Sequence, residues 1–141
     1  MKDLLAIGFW YADDPWNRHY PHPRSLVYKA WLSTFTKEKL AAYLRGGAIK
    51  ESYLGWSYCR FDCVGQQLGT KDLTDGTWVW PEGLAHYVEK HDVMLPVAFV
   101  VHCRDQGWAV PPCEPKDSSS RYAQSFWLEW SKRWSRIPEN S

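Results

Sequence analysis

Residues 75–87 read DGTWVWPEGLAHY, and His91 follows four positions later. Asp75-Gly76 is the strongest short-range hairpin signal in the chain, because a type I′ turn requires positive φ at both central residues and this pair tolerates it. Strands are therefore expected on either side. Beyond the turn, Thr77 and Val79 fall on one face while Trp78 and Trp80 share the other, the period-2 pattern of a strand. Pro81 has no N–H to leave orphaned and suits the first position of a helix, which the pattern carries from Pro81 to His91. The stretch thus predicts a hairpin running directly into a helix, a unit spanning residues 66–91.

Working outward from this unit, LLAIGFWY (Leu4–Tyr11) reads as a buried strand closed by the turn former at Asp13–Pro15. Ser25 can cap a short helix LVYKAWL, and Thr36 a second, KEKLAAYLR, stopped by Gly46 and Gly47. IKESYLGWSYCRF (Ile49–Phe61) alternates like a strand with a bulge or close backbone approach at Gly55. VMLPVAFVVHC places Pro96 at the head of a β-branched run and predicts a last strand. DQGWAVPPCEPKDSSS has loop composition, and RYAQSFWLEWSKRW an aromatic-striped helix with Tyr122, Phe126, Trp130 and Trp134 at four-residue spacing. No internal repeat or low-complexity tract is evident. The sum is an α+β fold with a small antiparallel or mixed sheet, and at 141 residues the length suits a single domain, 1–141.

Composition sets the function classes. Hydrophobic residues are 45% and charged residues 23%, proportions of a chain that folds on its own. Seventeen basic against sixteen acidic residues give a net charge of +1, so the overall balance offers no electrostatic footprint for nucleic acid or an anionic membrane. No secretory signal and no membrane-spanning apolar run is apparent, and a cytoplasmic location is the simplest expectation. The anomaly is ten tryptophans beside eight tyrosines and five phenylalanines. Such side chains dominate cores and interfaces alike. Trp16 in WNRHYPHPR and Trp108 in QGWAVPPCEP lie in proline-rich loops, where contacts to a protein partner commonly sit.

Four cysteines and five histidines supply the most specific chemistry. Cys59 and Cys63 precede the hairpin, and His86 and His91 lie on the helix after it. Two thiolates and two imidazoles are a donor set for a structural zinc ion, and the order resembles the ββα layout of zinc fingers. The spacer, residues 64–85, is 22 residues against a finger's usual ~12. An ideal helix turns residues five apart about 140° from each other, which puts His91 with Leu84, Tyr87 and Val88 but His86 with Glu82, Glu89 and Lys90. One ion collects both histidines only where the last turn tightens or unwinds. The competing reading makes the cysteines small buried residues and His91 a core histidine. A reducing compartment leaves disulfides unneeded, and the Cys59/Cys63 spacing is not that of a redox pair.

No nucleophile elbow, zinc-protease helix, phosphate loop or dinucleotide fingerprint occurs, so no catalytic residue is assigned. Asp72 and Asp75 read as solvated aspartates at hairpin ends. His102-Cys103, read as neighbours on a strand, would point to opposite faces. YLGWSYCRFDCVG followed by LTDGTWVWPEGLAHYVEKHDVMLP resembles a signature shared by small bacterial proteins without an established activity, over roughly residues 40–102. There the first block reads C-R-x-C-G, so Asp62 stands here as an extra residue between the cysteines. The resemblance implies that the cysteine pair and the histidine helix belong together, and it implies no reaction. The expectation for function is a small binding module, of adaptor or immunity type, that engages a protein partner through its tryptophan-bearing loops. Two alternatives stand beside it. One is an enzyme with a pocket between His86, His91 and the Trp78/Trp80 face. The other is a zinc-finger-like nucleic-acid binder, which the acidic residues of PEGLAHYVEKHD disfavour.

Overall fold

The computed structural model describes residues 3–63, 68–113 and 120–136. Residues 66 and 67 of the expected hairpin unit, and residues 114–119 of the expected loop, lie outside them. The fold is α+β, a five-stranded mixed sheet with four helices. In chain order the elements are β1 (Leu4–Ala6), α1 (Thr34–Arg45), β2 (Ala48–Ser52), β3 (Lys71–Thr74), β4 (Trp78–Pro81), α2 (Leu84–His91), α3 (Val97–Asp105), β5 (Tyr122–Ala123) and α4 (Ser125–Trp134). The sheet order is β2-β3-β4-β1-β5. β2, β3 and β4 are antiparallel, and β1 runs parallel to both β4 and β5.

The hairpin forms as expected, but with a different turn. Its last ladder pair is Thr74↔Val79, and Gly76 has a φ of +91° while Asp75 is not left-handed. Asp75 instead accepts the backbone N–H groups of Thr77 and Trp78 on Oδ1, at 2.9 and 2.7 Å, so its side chain builds the turn from inside. The alternation along β4 holds. Trp78 and Trp80 join the main core with Tyr43, Phe99 and Trp127, while Val79 joins Leu4 and Ala6 in a smaller cluster. Trp80 is fully buried, its indole N–H donating to the Leu44 carbonyl at 3.0 Å.

Several expectations are corrected. The first strand is only three residues long, since Gly8 takes a φ of +74° and a Cβ there would meet Leu84 at 2.7 Å. No α-helix follows Ser25, which lies inside a 3₁₀ turn, Pro23–Leu26, capped by His22. α1 begins two residues before Thr36 because Ser33 is the cap, its hydroxyl accepting the Thr36 N–H. β2 ends at Ser52, with its irregularity between Ile49 and Glu51 and not at Gly55. Pro81 closes β4 opposite Asp72, so the helix starts at Leu84.

The largest correction is α3, where a strand was expected. Phe99 and Cys103 are buried while Val97, Ala98, Val101 and Arg104 are exposed, the i, i+4 pattern of a helix docked by one stripe. That periodicity outweighs the β-branched content, a preference that amounts to packing context more than to the backbone itself. The expected last helix also divides. Tyr122 belongs to β5, Trp127 is fully buried, and Trp134 at the far end is exposed. No helix among the described residues is long and apolar enough to cross a membrane.

Candidate metal centre

Cys59, Cys63, His86 and His91 converge, one ligand atom from each lying within 4.8 Å of all the others. The cysteines come from the loop after β2 and the histidines from α2. His91 Nε2 is 3.1 Å from Cys63 Sγ and 3.4 Å from Cys59 Sγ. Zinc–sulfur and zinc–nitrogen bonds of about 2.3 and 2.0 Å at a tetrahedral angle place such atoms roughly 3.5 Å apart, so the spacing fits a four-coordinate ion. His86 Nε2 is buried and has no hydrogen-bond partner among the described residues. A buried ring nitrogen left unbonded costs free energy unless something accepts its lone pair. A metal ion at the centre of the cluster would do so.

How two histidines five apart reach one point is visible in the last turn of α2. The Tyr87 carbonyl accepts the N–H groups of both Asp92 and Val93, five and six residues on, where an α-helix uses a spacing of four. A wider turn brings residue i+5 back over residue i. Asp92 then leaves the helix in the left-handed conformation, at a φ of 52°. The His86 and His91 rings meet edge-on, 5.0 Å between centroids.

The cysteine loop is held as tightly. Asp62, between the cysteines, takes a φ of 59° and donates its N–H to the Cys59 carbonyl at 3.1 Å, which closes the turn. The Phe61 N–H points at Cys59 Sγ from 3.4 Å, where it would steady a thiolate. The Phe61 ring stacks on His91 at 4.1 Å. Tyr87, on α2, accepts the Arg60 N–H at 2.9 Å. Burial lowers the pKa of His86, helped by the neighbouring His91, and burial also lowers that of His91. Both imidazoles are thus held in the neutral form that ligates metal. Desolvation pushes the Cys63 thiol up, and its hydrogen bond with Cys59 and the negative charge of a Cys59 thiolate act in the same direction.

Likeness to a zinc finger ends at the donor set. The hairpin β3–β4 sits inside a five-stranded sheet, and α2 buries Leu84, Ala85, Tyr87 and Val88. Tyr43 packs against Trp80, and Phe99 against both Trp78 and Trp80, while His86 borders a cleft with Arg45, Lys71 and Glu82. Among the loop tryptophans, Trp16 is 77% exposed, whereas Trp108 packs partly buried against the core. The other two cysteines, Cys103 and Cys113, are unpaired thiols outside the cluster.

The two hairpin aspartates are not solvated. Asp75 is 2% exposed and its Oδ2 accepts the Tyr43 hydroxyl at 2.6 Å and faces His102 Nε2 at 3.0 Å. Asp72 is 4% exposed, its Oδ2 accepting the hydroxyls of Tyr53 at 2.6 Å and Tyr122 at 2.8 Å. Sequence reading missed both, since their tyrosine partners lie 19 to 50 residues away. These features define an α+β protein with a Cys₂His₂ cluster suited to a metal ion. Comparison with protein-family models, curated proteins and solved structures finds no match.

Proposed function

We propose that the protein is a binding module, of adaptor or immunity type, in which a structural zinc ion steadies the surface that engages a protein partner. One observation carries this reading. The segment that shows Tyr53, Leu54, Trp56 and Tyr58 to solvent is the same one that ends at Cys59 and Cys63. Four large apolar side chains within six residues, all more than half exposed, are costly to leave against water unless a partner covers them. Trp16 extends the same surface, since it and Trp56 border one cleft.

Zinc suits two thiolates and two imidazoles better than magnesium or calcium, which take oxygen ligands. Four protein donors fill its coordination and leave no position for a substrate, which favours a structural role over an enzymatic one. Elemental analysis of protein purified without a histidine tag tests the first half. One zinc per chain is expected, lost in Cys59→Ser. Absence of zinc, or its retention in that variant, overturns the assignment. For the second half, proteins that co-purify with the wild type are compared with those held by Trp16→Ala and Trp56→Ala. Retention of the same proteins by both variants removes the aromatic surface from the proposal.

A further inference from the structure

A cleft of about 670 Å³ opens between the 16–20 loop, the 53–57 segment and the open end of the β3–β4 hairpin. Phe9, Trp16, Tyr20, Tyr53, Trp56 and Tyr122 give it aromatic walls. Its polar groups have a consistent orientation. The hydroxyls of Tyr53 and Tyr122 are both spent on Asp72 Oδ2. The Asn17 amide N–H groups are directed at Asp14, at 3.0 and 3.1 Å. Arg60 donates to Ser57 Oγ and to the Tyr58 carbonyl, both at 3.0 Å, and lies over the Tyr58 ring. With those donors engaged, the lining also holds ring faces and the carboxylates of Asp72 and Glu82, beside the cations Arg60 and Lys71.

Asp72 and Glu82 supply the negative charge. Glu82 Oε1 accepts only a backbone N–H, from Thr70 at 3.0 Å. None of the described ion pairs includes Asp72. Lys50 is the nearby buried cation, but its ammonium pairs with Glu51 at 3.5 Å, and Lys71 stands at the rim. Burial holds the Asp72 carboxyl above its usual range even though two tyrosines donate to it. A nearly buried carboxylate that makes no direct ion pair among the described residues, with Lys50 acting on it only from a distance, and ringed by aromatic faces, is complementary to a cation with N–H groups to give.

We infer that the cleft seats a lysine or arginine side chain of the partner protein, its aliphatic stem against Trp16 and Trp56 and its charged head toward Asp72. This rests on the binding-module reading above and adds the chemistry of the residue recognised. An acidic or phosphorylated partner segment would meet Asp72, Glu82 and ring faces, with only Lys71 at the rim and Arg60, already engaged with Ser57 and Tyr58, to set against them. A basic side chain gains ion pairing at the head and cation–π contact along the walls.

The test uses the zinc-loaded full chain and four pentapeptides that are glycine apart from a central lysine, arginine, norleucine or citrulline, titrated by tryptophan fluorescence. The lysine and arginine peptides are expected to bind about tenfold more tightly than their neutral counterparts, a preference of the order of one buried charged contact. Asp72→Asn keeps an oxygen for the two tyrosine hydroxyls while removing the charge, and should reduce the preference to near unity. Trp16→Ala should weaken every peptide without erasing it, and its side chain is too exposed for folding to be at issue. Equal binding of norleucine and lysine overturns the charge assignment and leaves partner binding by the aromatic rim standing. Binding of none of the four, or a preference that survives Asp72→Asn, overturns the inference itself. Failure of the module reading shows elsewhere, in the zinc content and the co-purification comparison.

Discussion

The segment from Tyr53 to Cys63 is built on opposite principles at its two ends. At Cys59 and Cys63 four donors from two elements turn inward to one point, with an orphaned imidazole nitrogen among them. At Tyr53 and Trp56 the side chains spread around a cleft, and the buried Asp72 beneath them has hydrogen bonds but no direct ion pair among the described residues. Convergent donors gain from being closed by an ion, so that end should govern stability. Divergent aromatics over a carboxylate with no direct ion pair gain little until a ligand arrives, so that end should contribute little to folding. Substitutions can be ordered by which logic they touch.

The largest effect is expected at the cluster. His91→Ala removes a donor that lies within 3.4 Å of both sulfurs and should lower stability by roughly 4 kcal/mol, about 12 °C in melting temperature for a chain of this size. Added zinc should raise the melting temperature of the wild type and leave the variant unmoved. A variant that melts like the wild type would end the division between a stabilising end and a recognising end.

Asp75→Asn comes next and isolates what a fully satisfied buried carboxylate is worth. Asp75 accepts two backbone N–H groups and the Tyr43 hydroxyl and faces His102. An amide in its place sets an NH₂ against donors, and urea unfolding should show a loss of about 3 kcal/mol. Asp72→Asn is the contrast, three residues away on the same hairpin. The folded-state pKa of Asp72 is raised by burial above the 3.8 of an ordinary carboxyl, so the folded protein holds that proton more firmly than the unfolded chain does. Its contribution is then favourable below about pH 4, is lost as pH rises through the folded value, and opposes folding at pH 7. Asp72→Asn should therefore stabilise at neutral pH, by less than about 1 kcal/mol, with the advantage vanishing in melts at acid pH. Tyr53, Tyr122, Glu51 and Lys50 share that environment, and substituting Glu51, which raises the same pKa, should move it in the same sense.

The two ends also differ in how far they can be read from the chain. Cysteine and histidine are rare, and their pairing around a hairpin marks the cluster, although an ideal helix argues against five-residue spacing and only the widened turn after Tyr87 resolves the conflict. The Asp75-Gly76 turn and the face alternation of Trp78, Val79 and Trp80 are legible because they are local. The cleft is not. Phe9, Tyr53, Asp72 and Tyr122 meet through a sheet order in which β1 inserts between β4 and β5, and no spacing encodes that. A helix stands in place of the strand expected at Val97 for a related reason, since the burial of Phe99 and Cys103 depends on what packs against them and β-branched composition does not encode it.

Trp56→Ala should have the smallest effect on folding and is the sharpest probe of the comparison. The side chain is 61% exposed and touches the cleft from its rim, so little apolar surface returns to water when it is lost. Truncation should cost less than about 0.5 kcal/mol, as at most surface positions away from caps and cores. The same change removes one aromatic wall from the seat argued for a basic side chain, and binding of the lysine pentapeptide should fall several-fold. Stability kept while binding falls means that Trp56 is held in water for a ligand. Were the melting temperature to drop by many degrees instead, Trp56 would be part of the packing that positions Cys59. The aromatic end of the segment would then belong with the metal end, as structure.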